Sequence, residues 1–428
     1  MSDFRTAVLI CQRFPYSQET GEVYLRTEID VLAAHSDKVI VLPCFSEGEV
    51  TPFRLPENVI VRSVAAGVDG IVQRSEGIRA AVRIFTPGFK CMYLGASENF
   101  RERLFLESMY GLADKVRSNT GNVLEELGVI SREIDVVYSY RLTLTAHIGM
   151  FVSDWVSAHG HGRPLTVSRA HGYDLYKGHT HGHIQPFRAE VMNGMDCIFP
   201  CSEEGSAYMR TEYPAYANKI ETLYLGSRDI SGRNPFRMSD VIKIVSCSTL
   251  AAVKRVDLIV DAVKILCDKG VKVQWTHIGS GRGFSALEKR CDKLLQPCSF
   301  KLLGTLDNDE VVSLYSGTSF DLFVNVSSSE GIPQAIMEAL SFGIPVAATE
   351  VGGNSEIVHD GLNGWLLDPD NVVEGLVGVV EYYMGFSASS KEALRQSAHD
   401  VWESNFCAKH NAERFISRLS GNAGARRQ

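Results

Sequence analysis

Short apolar runs of strand length alternate with helical patterns along most of the chain. In the first half these runs are residues 7–11, 38–43, 59–63, 134–138, 164–169, 197–201 and 220–224. In the second half they are residues 242–247, 272–278, 299–303, 322–326, 346–348 and 364–367. Strands that alternate with helices are typical of parallel sheets covered by helices on both faces. The pattern therefore predicts an α/β chain with two doubly wound, Rossmann-like domains.

A polar, turn-rich segment separates the two halves of the pattern. Residues 227–239 read SRDISGRNPFRMS and show no sustained periodicity, so we place the linker there. The expected domains are residues 1–230 and 240–400. Residues 401–428 continue a helical, amphipathic tail.

Residues 321–368 carry the most informative pattern in the chain. An alternating apolar run at 321–326 leads through three serines to a helical pattern that continues to Phe342. Pro333 suits a first helical turn, where its missing N–H costs nothing, and Gly343 and Pro345 end the helix. The sequence therefore predicts strand, loop and helix, with the helix beginning at Gly331.

This helix start offers a site for an anion. Helix N-termini carry unpaired N–H groups and partial positive charge, so Gly331, Ile332 and Pro333 mark a place for a phosphate. Glu338 follows Glu330 by a little over two turns, so both carboxylates project from one side. A carboxylate on an apolar helix needs a partner, and ribose hydroxyls would supply one. The alternative is a helix cap at Glu330 and a solvated Glu338.

Several neighbouring motifs carry a family resemblance. The stretch resembles the signature of retaining glycosyltransferases of family 4 through EGIP at 330–333, EA at 338–339, GIPV at 343–346, VGG at 351–353 and EIV at 356–358. The loop FPYSQETG at 14–21 is similar to a subgroup of that family that builds bacterial surface polysaccharides.

The resemblance implies a glycosyltransferase-B fold, in which two Rossmann-like domains face each other across a cleft. Residues 1–230 would bind the acceptor, residues 240–400 would bind a nucleotide sugar, and residues 401–428 would cross back to the first domain. Glu330 would contact the donor sugar, the backbone from Gly331 to Pro333 would hold the diphosphate, and Glu338 would hold the ribose.

The resemblance also implies a cationic clamp for the diphosphate. Lys254 matches the expected lysine, whereas Ser248 or Thr249 stands where the family has an arginine. Arg255 is the other candidate cation, and Gly279 follows a strand at a turn suited to the nucleotide. A solvated basic pair is the alternative for Lys254 and Arg255.

In the first domain, the candidates follow the strands at 7–11 and 164–169. By resemblance, His171 contacts the donor sugar or steadies the reacting centre, while Tyr16, Tyr173 and Asp174 shape the acceptor side. In the loop after the first strand, where the family has a pair of glycines, this sequence has Gly21 alone. The alternative for His171 and Gly172 is a simple turn.

Metal chemistry finds little support in the sequence. His179, His181 and His183 alternate in a loop without an acidic companion, so we favour a loop over a metal tract. The acidic residues at 307–309 and 368–370 are interpreted as turns and helix caps. We therefore expect no metal and no cofactor.

Composition limits the partners and the compartment. The net charge of −8 argues against nucleic-acid binding, and no apolar run reaches the length of a membrane span. The N-terminus lacks the pattern of a signal peptide, and most of the ten cysteines lie in apolar runs. We expect a cytoplasmic protein and leave peripheral contact with the inner face of the membrane open. Arginines within residues 71–127 suggest such a surface, although an ordinary helical hairpin is favoured.

These inferences predict a retaining hexosyltransferase that moves a sugar, preferably from a UDP-sugar, to a saccharide or lipid-linked glycan acceptor. Bacterial cell-surface or exopolysaccharide synthesis is the expected setting. One alternative is a nucleotide-sugar epimerase or hydrolase on the same fold, which would release nucleotide without an acceptor. The other is a non-catalytic subunit that binds nucleotide sugar in a polysaccharide assembly complex. The oligomeric state is not predicted.

Overall fold

A computed structural model describes residues 2–16, 22, 24–46, 54–65, 100–129, 134–160, 162–179, 184–229, 232–295 and 299–426. The chain forms two compact units. Unit 1 contains residues 1–223 and 412–428, and unit 2 contains residues 224–411.

Unit 1 is built on a sheet of six parallel strands in the order β3-β2-β1-β4-β5-β6. The strands are β1 (Phe4–Cys11), β2 (Ser36–Pro43), β3 (Val59–Val61), β4 (Val136–Tyr140), β5 (Leu165–Ala170) and β6 (Cys197–Pro200). The described helices of this half are α1 (Leu25–Ala34), α2 (Phe100–Glu126), α3 (Leu144–Ala158), α4 (Arg188–Gly194) and α5 (Glu203–Glu212). The strands at the centre are almost fully buried because both faces of the sheet are covered.

Unit 2 repeats this architecture with the order β12-β11-β10-β7-β8-β9. Its strands are β7 (Val241–Cys247), β8 (Lys272–Ile278), β9 (Phe300–Leu302), β10 (Leu322–Asn325), β11 (Val346–Thr349) and β12 (Gly364–Leu367). Its helices are α6 (Asp257–Asp268), α7 (Phe284–Leu294), α8 (Asn308–Gly317), α9 (Gln334–Ser341), α10 (Asn354–Ile357), α11 (Val372–Met384) and α12 (Ala388–Asn405). A last helix, α13 (Ala408–Arg426), ends in unit 1. The two predicted doubly wound domains are confirmed.

Three predicted elements differ from the structure. Residues 220–224 form no strand and make only an isolated bridge from Ile220 to Ile198. The helix predicted from Gly331 begins at Gln334, because Pro333 adopts an extended backbone conformation and acts as its N-cap. The tail predicted as one helix is interrupted between Asn405 and Ala408.

The packing of the last helix on unit 1 centres on Phe415. Its ring lies 4.9 Å from that of Tyr138, and the buried Arg169 guanidinium lies 4.2 Å from its centroid. Within the described part of the chain, none of the helices combines the length and apolar character that crossing a membrane requires.

Candidate functional site

The carboxyl ends of β7 and β10 bring a lysine and a glutamate together in unit 2. These strands are neighbours in the sheet, so the loops that follow them lie side by side. Glu330 Oε1 accepts hydrogen bonds from Lys254 Nζ at 2.7 Å, Ser327 Oγ at 2.6 Å and Asn325 Nδ2 at 3.0 Å. No described residue donates to Oε2. Glu330 is therefore fixed through one oxygen and presents the other.

Lys254 retains hydrogen-bonding capacity beside this carboxylate. Its side chain is 24% exposed, and among the described residues its ammonium contacts Glu330 alone. An ammonium carries three donors, so a bound anion could accept from the others.

Arg255 holds the loops around the site through backbone carbonyls. Its guanidinium donates through Nε to Val326 O at 2.9 Å, through Nη2 to Ser327 O at 3.0 Å and through Nη1 to Pro369 O at 3.1 Å. These bonds use three of the five guanidinium N–H donors, and the predicted contact of Arg255 with the diphosphate stays a prediction. Arg255 fastens the loop that carries Glu330.

Two glycines allow a second loop to approach Glu330 closely. The Gly353 amide donates to Gly331 O at 2.9 Å, and a Cβ at Gly353 would lie 2.1 Å from that oxygen. A Cβ at Gly352, whose φ is +51°, would lie 1.9 Å from Glu330 O. The VGG motif is therefore required by backbone contact, and it orients the segment around Gly331.

The N-terminus of α9 is open. The amides of Gly331, Ile332, Gln334 and Ala335 donate to no described residue, and Pro333 has no N–H to donate. Unpaired amides at a helix start carry partial positive charge and bind anions. The helix begins three residues later than predicted, but the predicted anion site keeps its chemistry.

Glu338 lies along the same helix in a partly buried polar region. Its Oε1 accepts from Gln334 Nε2 at 3.1 Å, and burial raises its pKa above the ordinary value. The carboxylate lies close enough to Tyr315 and Cys247 to help raise their pKa values. Tyr315 Oη and Gln334 Oε1 are shielded from solvent without a partner among the described residues. Such unsatisfied groups suit a ligand that carries hydroxyls.

The glycine turn after β8 packs against the end of β7. Gly279 has a φ of +132°, and a Cβ there would lie 1.9 Å from Ser248 O. The Ser248 amide donates to Ile278 O at 2.9 Å. Gly279 is thus needed for close backbone contact, while donor contacts by Ser248 and Gly279 stay predictions.

His171 follows β5 in unit 1 and holds an imidazole without polar partners. Both ring nitrogens are shielded, with no hydrogen bond to any described residue, and the ring packs edge-on against Tyr140 at 4.7 Å. Burial lowers the pKa of His171 to about 4. The ring is therefore neutral at physiological pH and offers one donor and one acceptor.

Asp174 is committed to the protein backbone and to one arginine. Its carboxylate accepts from Arg141 Nη1 at 3.2 Å, from Leu142 N at 2.9 Å and from His171 N at 3.3 Å. It is 1% exposed. Asp174 thus joins the loops after β4 and β5, and its acceptor-side role stays a prediction.

The remaining predicted residues of unit 1 are less informative. Tyr16 is half-buried, and burial raises the pKa of its hydroxyl. Gly21, His181 and His183 lie outside the described residues, as do the side chains of Tyr173 and His179 and most of the arginine-bearing segment at 71–127.

Sequence reasoning missed Glu22, the acidic group that shapes the loop after β1. Its fully buried carboxylate accepts from the successive amides of Gln12 at 2.6 Å, Arg13 at 2.7 Å and Phe14 at 2.8 Å. Consecutive amides that leave a strand form a nest for an anion. The sequence signal for this contact was an acidic residue at the end of the loop that follows β1.

The motif region matches a known family model. Residues 230–389 match the model described as "Glycosyl transferases group 1". The match covers less than half of the chain.

Two curated relatives are named for the biosynthesis of colanic acid and of amylovoran. The chain is 21% identical over 241 residues to the proposed colanic acid biosynthesis glycosyltransferase WcaL of Salmonella typhimurium, covering 55% of this chain and 59% of that protein. It is 28% identical over 144 residues to the amylovoran biosynthesis glycosyltransferase AmsK of Erwinia amylovora, covering 32% and 35%. The matches thus span about a third to three fifths of these relatives' lengths.

Solved structures resemble the whole chain and show its fold. Sucrose-phosphate synthase from Thermosynechococcus elongatus has a TM-score of 0.68 at 15% identity, over 98% of this chain and 100% of that one. HepE from Anabaena, in complex with UDP, has a TM-score of 0.63 at 15% identity, over 97% and 100%. The chain has the glycosyltransferase-B fold.

The acidic segments outside the site are caps and turns, as predicted. Asp307 caps α8 and forms a reciprocal capping box with Glu310, and Asp368 accepts from the Asp370 amide at 2.9 Å. Among the described residues, the group that could surround a metal ion is the partly exposed set His399, Asp400 and Glu403.

Proposed function

We propose that this chain is a retaining glycosyltransferase that uses a nucleotide-diphosphate sugar in bacterial exopolysaccharide synthesis. The observation that carries the proposal is the pairing of Lys254 with a fixed Glu330 beside the open N-terminus of α9. The group 1 match covers this segment, and the relatives named for colanic acid and amylovoran biosynthesis support the polysaccharide setting.

In this proposal, unit 2 holds the donor along residues 330–338. The free Oε2 of Glu330 accepts from a hydroxyl of the donor sugar, and the amides of Gly331 and Ile332 hold the diphosphate. Glu338 accepts from the ribose hydroxyls, which satisfies a carboxylate that burial otherwise disfavours. UDP is the preferred nucleotide of the donor, in line with the UDP bound by HepE.

The reaction breaks the bond between the anomeric carbon and the diphosphate oxygen, which takes the electron pair. Lys254 and the helix amides stabilise the negative charge that develops on this oxygen, a term that can be large in a dry site. The cation and amides supply this stabilisation from the protein itself, and we propose a metal-independent reaction.

The acceptor hydroxyl forms the new bond to the anomeric carbon on the face that the diphosphate leaves. Its proton passes to a diphosphate oxygen, so the atoms and charge balance without another reactant. The neutral imidazole of His171 offers both a donor and an acceptor to a sugar hydroxyl.

A thermal-shift panel of UDP-, GDP- and ADP-sugars tests donor binding. A cognate donor stabilises the folded state by mass action, so one base should raise the Tm and the others should have little effect. Glu330→Gln should keep the fold and lose most turnover. Glu330→Gln with full activity would contradict the proposed role of the carboxylate.

Product analysis then separates the alternative functions. Nucleotide release without an acceptor would favour the hydrolase, conversion of the sugar itself would favour the epimerase, and donor affinity without turnover across acceptors would favour a binding subunit. Sugar transfer with retained anomeric configuration is the expected outcome.

A further inference from the structure

Unit 1 contains an apolar cavity at the carboxyl edge of its sheet. Its volume is about 300 Å³, at the low end of the range for small-molecule sites. Its lining comes from the segments after β1, β2, β4 and β5, and from α2. Ligands of doubly wound sheets bind at this edge, so the cavity has the expected position for a ligand site.

The walls of the cavity are mainly hydrophobic. The apolar lining residues are Phe45, Phe105, Met109, Leu142, Leu144, Ile184, Pro186 and Phe187. Phe105 of this lining is 39% exposed. The walls therefore suit a hydrocarbon chain or a ring.

Polar atoms at the same cavity lack partners. Arg188 is 6% exposed, yet its Nε and Nη1 groups donate to no described residue. Gln185 Oε1 and Thr143 Oγ1 are also shielded without a partner in the described part of the chain. Buried polar groups are nearly always satisfied, so these atoms point to a ligand with a polar end.

Among the described residues, the carboxylates near Arg188 already have partners. Its Nη2 donates to the backbone oxygen of Asp174, while the Asp174 carboxylate is paired with Arg141 at 3.2 Å. The nearby Glu190 carboxylate accepts from Tyr110 Oη, and Tyr213 presents its ring 5.9 Å from the guanidinium. Because a buried cation is stabilised by an anion, the polar end should be negatively charged.

We propose that this cavity binds an anionic amphiphile, with its apolar portion between the hydrophobic walls and its anionic group at Arg188. The assignment of this amphiphile as part of the acceptor rests on the proposed function, whereas its binding to unit 1 does not. The site favours an acceptor with a lipid-like portion over a purely sugar acceptor.

Isothermal titration calorimetry with three probes tests the inference on the full-length protein. Decyl phosphate below its critical micelle concentration should bind with one-to-one stoichiometry. Decanol should bind about ten-fold or more weakly, because it lacks the charge-assisted contact to Arg188, and inorganic phosphate should show no binding. Decanol binding as tightly as decyl phosphate, phosphate binding alone, or no binding of decyl phosphate would overturn it.

A cavity-filling variant locates the binding. Met109→Trp should weaken decyl phosphate about ten-fold or more by occupying the cavity, while Met238→Trp, at an exposed methionine of unit 2, should leave it unchanged. Equal affinity in both variants would place the amphiphile elsewhere. Circular dichroism checks that each variant is folded. If Met109→Trp does not fold, the three-probe series on the wild-type protein decides whether the cavity binds an anionic amphiphile.

The same samples separate this inference from the proposed function. If a nucleotide sugar raises the Tm but decyl phosphate does not bind, the amphiphile site is refuted and the donor site stands. If decyl phosphate binds and no nucleotide sugar does, the cavity is supported and the proposed transferase activity is refuted.

Discussion

Lys254→Met separates a role in stability from a role in catalysis. The substitution keeps an unbranched side chain and removes the ammonium that donates to Glu330 Oε1 at 2.7 Å. The same oxygen keeps its hydrogen bonds from Ser327 and Asn325, so the carboxylate stays anchored in the variant. The substitution thus removes one charge and leaves the architecture of the loop.

The structure predicts a small loss of stability. A hydrogen bond between charged groups contributes about 1.5–3 kcal/mol. The lysine side chain is 24% exposed and two other donors remain on Oε1, so solvent screening should reduce the loss in the free energy of unfolding to about 1 kcal/mol.

The predicted loss of catalysis is much larger. The ammonium is assigned to charge that develops on the leaving diphosphate, and removing one such donor typically lowers kcat by about 10²–10³. A reduction of kcat in this range, with a change in Tm of only a few degrees, is the expected result.

The assay is sugar transfer at saturating concentrations of the donor that the thermal-shift panel identifies. Lys264→Met is the matched control, because Lys264 forms an exposed pair with Asp268 on α6 of the same unit. The control should keep wild-type kcat and Tm. A Lys254→Met enzyme that retains more than about a tenth of the wild-type kcat would refute the leaving-group role.

Three further predictions concern the support of the donor site. Glu338 has a raised pKa, and ribose hydroxyls favour its ionised form. Donor affinity should therefore fall as pH drops through this pKa. Titration calorimetry should show a flatter dependence of donor affinity on pH for Glu338→Gln. The stability of the ligand-free protein should change in the opposite direction. Its free energy of unfolding should fall as pH rises from the ordinary Glu338 pKa of 4.5 through the raised pKa. Gly353→Ala must displace Gly331 O, so the affinity for the donor, measured by calorimetry, should fall about ten-fold. The control Gly378→Ala has no atom within 4 Å of the new Cβ and should keep the wild-type affinity. Arg255→Gln should lower the free energy of unfolding by about 2–3 kcal/mol in denaturant titrations, because three carbonyls lose a charged donor; an unchanged midpoint would contradict that role.

The sequence predicted the sheet of unit 2 well because each of its strands carries a local signal. The runs from Ile242 to Leu367 are apolar, short and separated by helical periodicity, and all six appear as strands. The run at 220–224, which reads IETLY, forms only one bridge, because strand pairing depends on a partner that the local sequence does not specify.

The helix start at residues 331–334 shows the limit of local rules. Proline is compatible with the first helical turn and also with an extended cap, and the sequence does not distinguish them. Pro333 has φ −75° and ψ 113°, so the helix begins at Gln334. The amides of Gly331 and Ile332 therefore lie in the loop before the helix.

The roles of charged residues were harder to predict than their positions. Arg255 was expected to meet phosphate, but its carbonyl partners include Pro369, which lies 114 residues away in the chain. Asp174 was expected on the acceptor side, and its bond to the Leu142 amide, 32 residues earlier, was not predicted. Contacts at such separations are fixed by the sheet topology, which the residue type alone does not contain.

The order of the unsatisfied groups in unit 2 suggests how a donor lies in the site. From Glu330 to Glu338, the chain presents a free carboxylate oxygen, then open amides beside Lys254, and then a partly buried carboxylate near Tyr315. A nucleotide sugar has hydroxyls, then a diphosphate, then ribose hydroxyls in the same sequence. The reversed orientation would also place the diphosphate at the amides, because nucleobases carry N–H donors and sugars carry O–H donors from which either carboxylate can accept. We therefore propose the sugar at Glu330 and the nucleoside at Glu338 because the family resemblance implies this order.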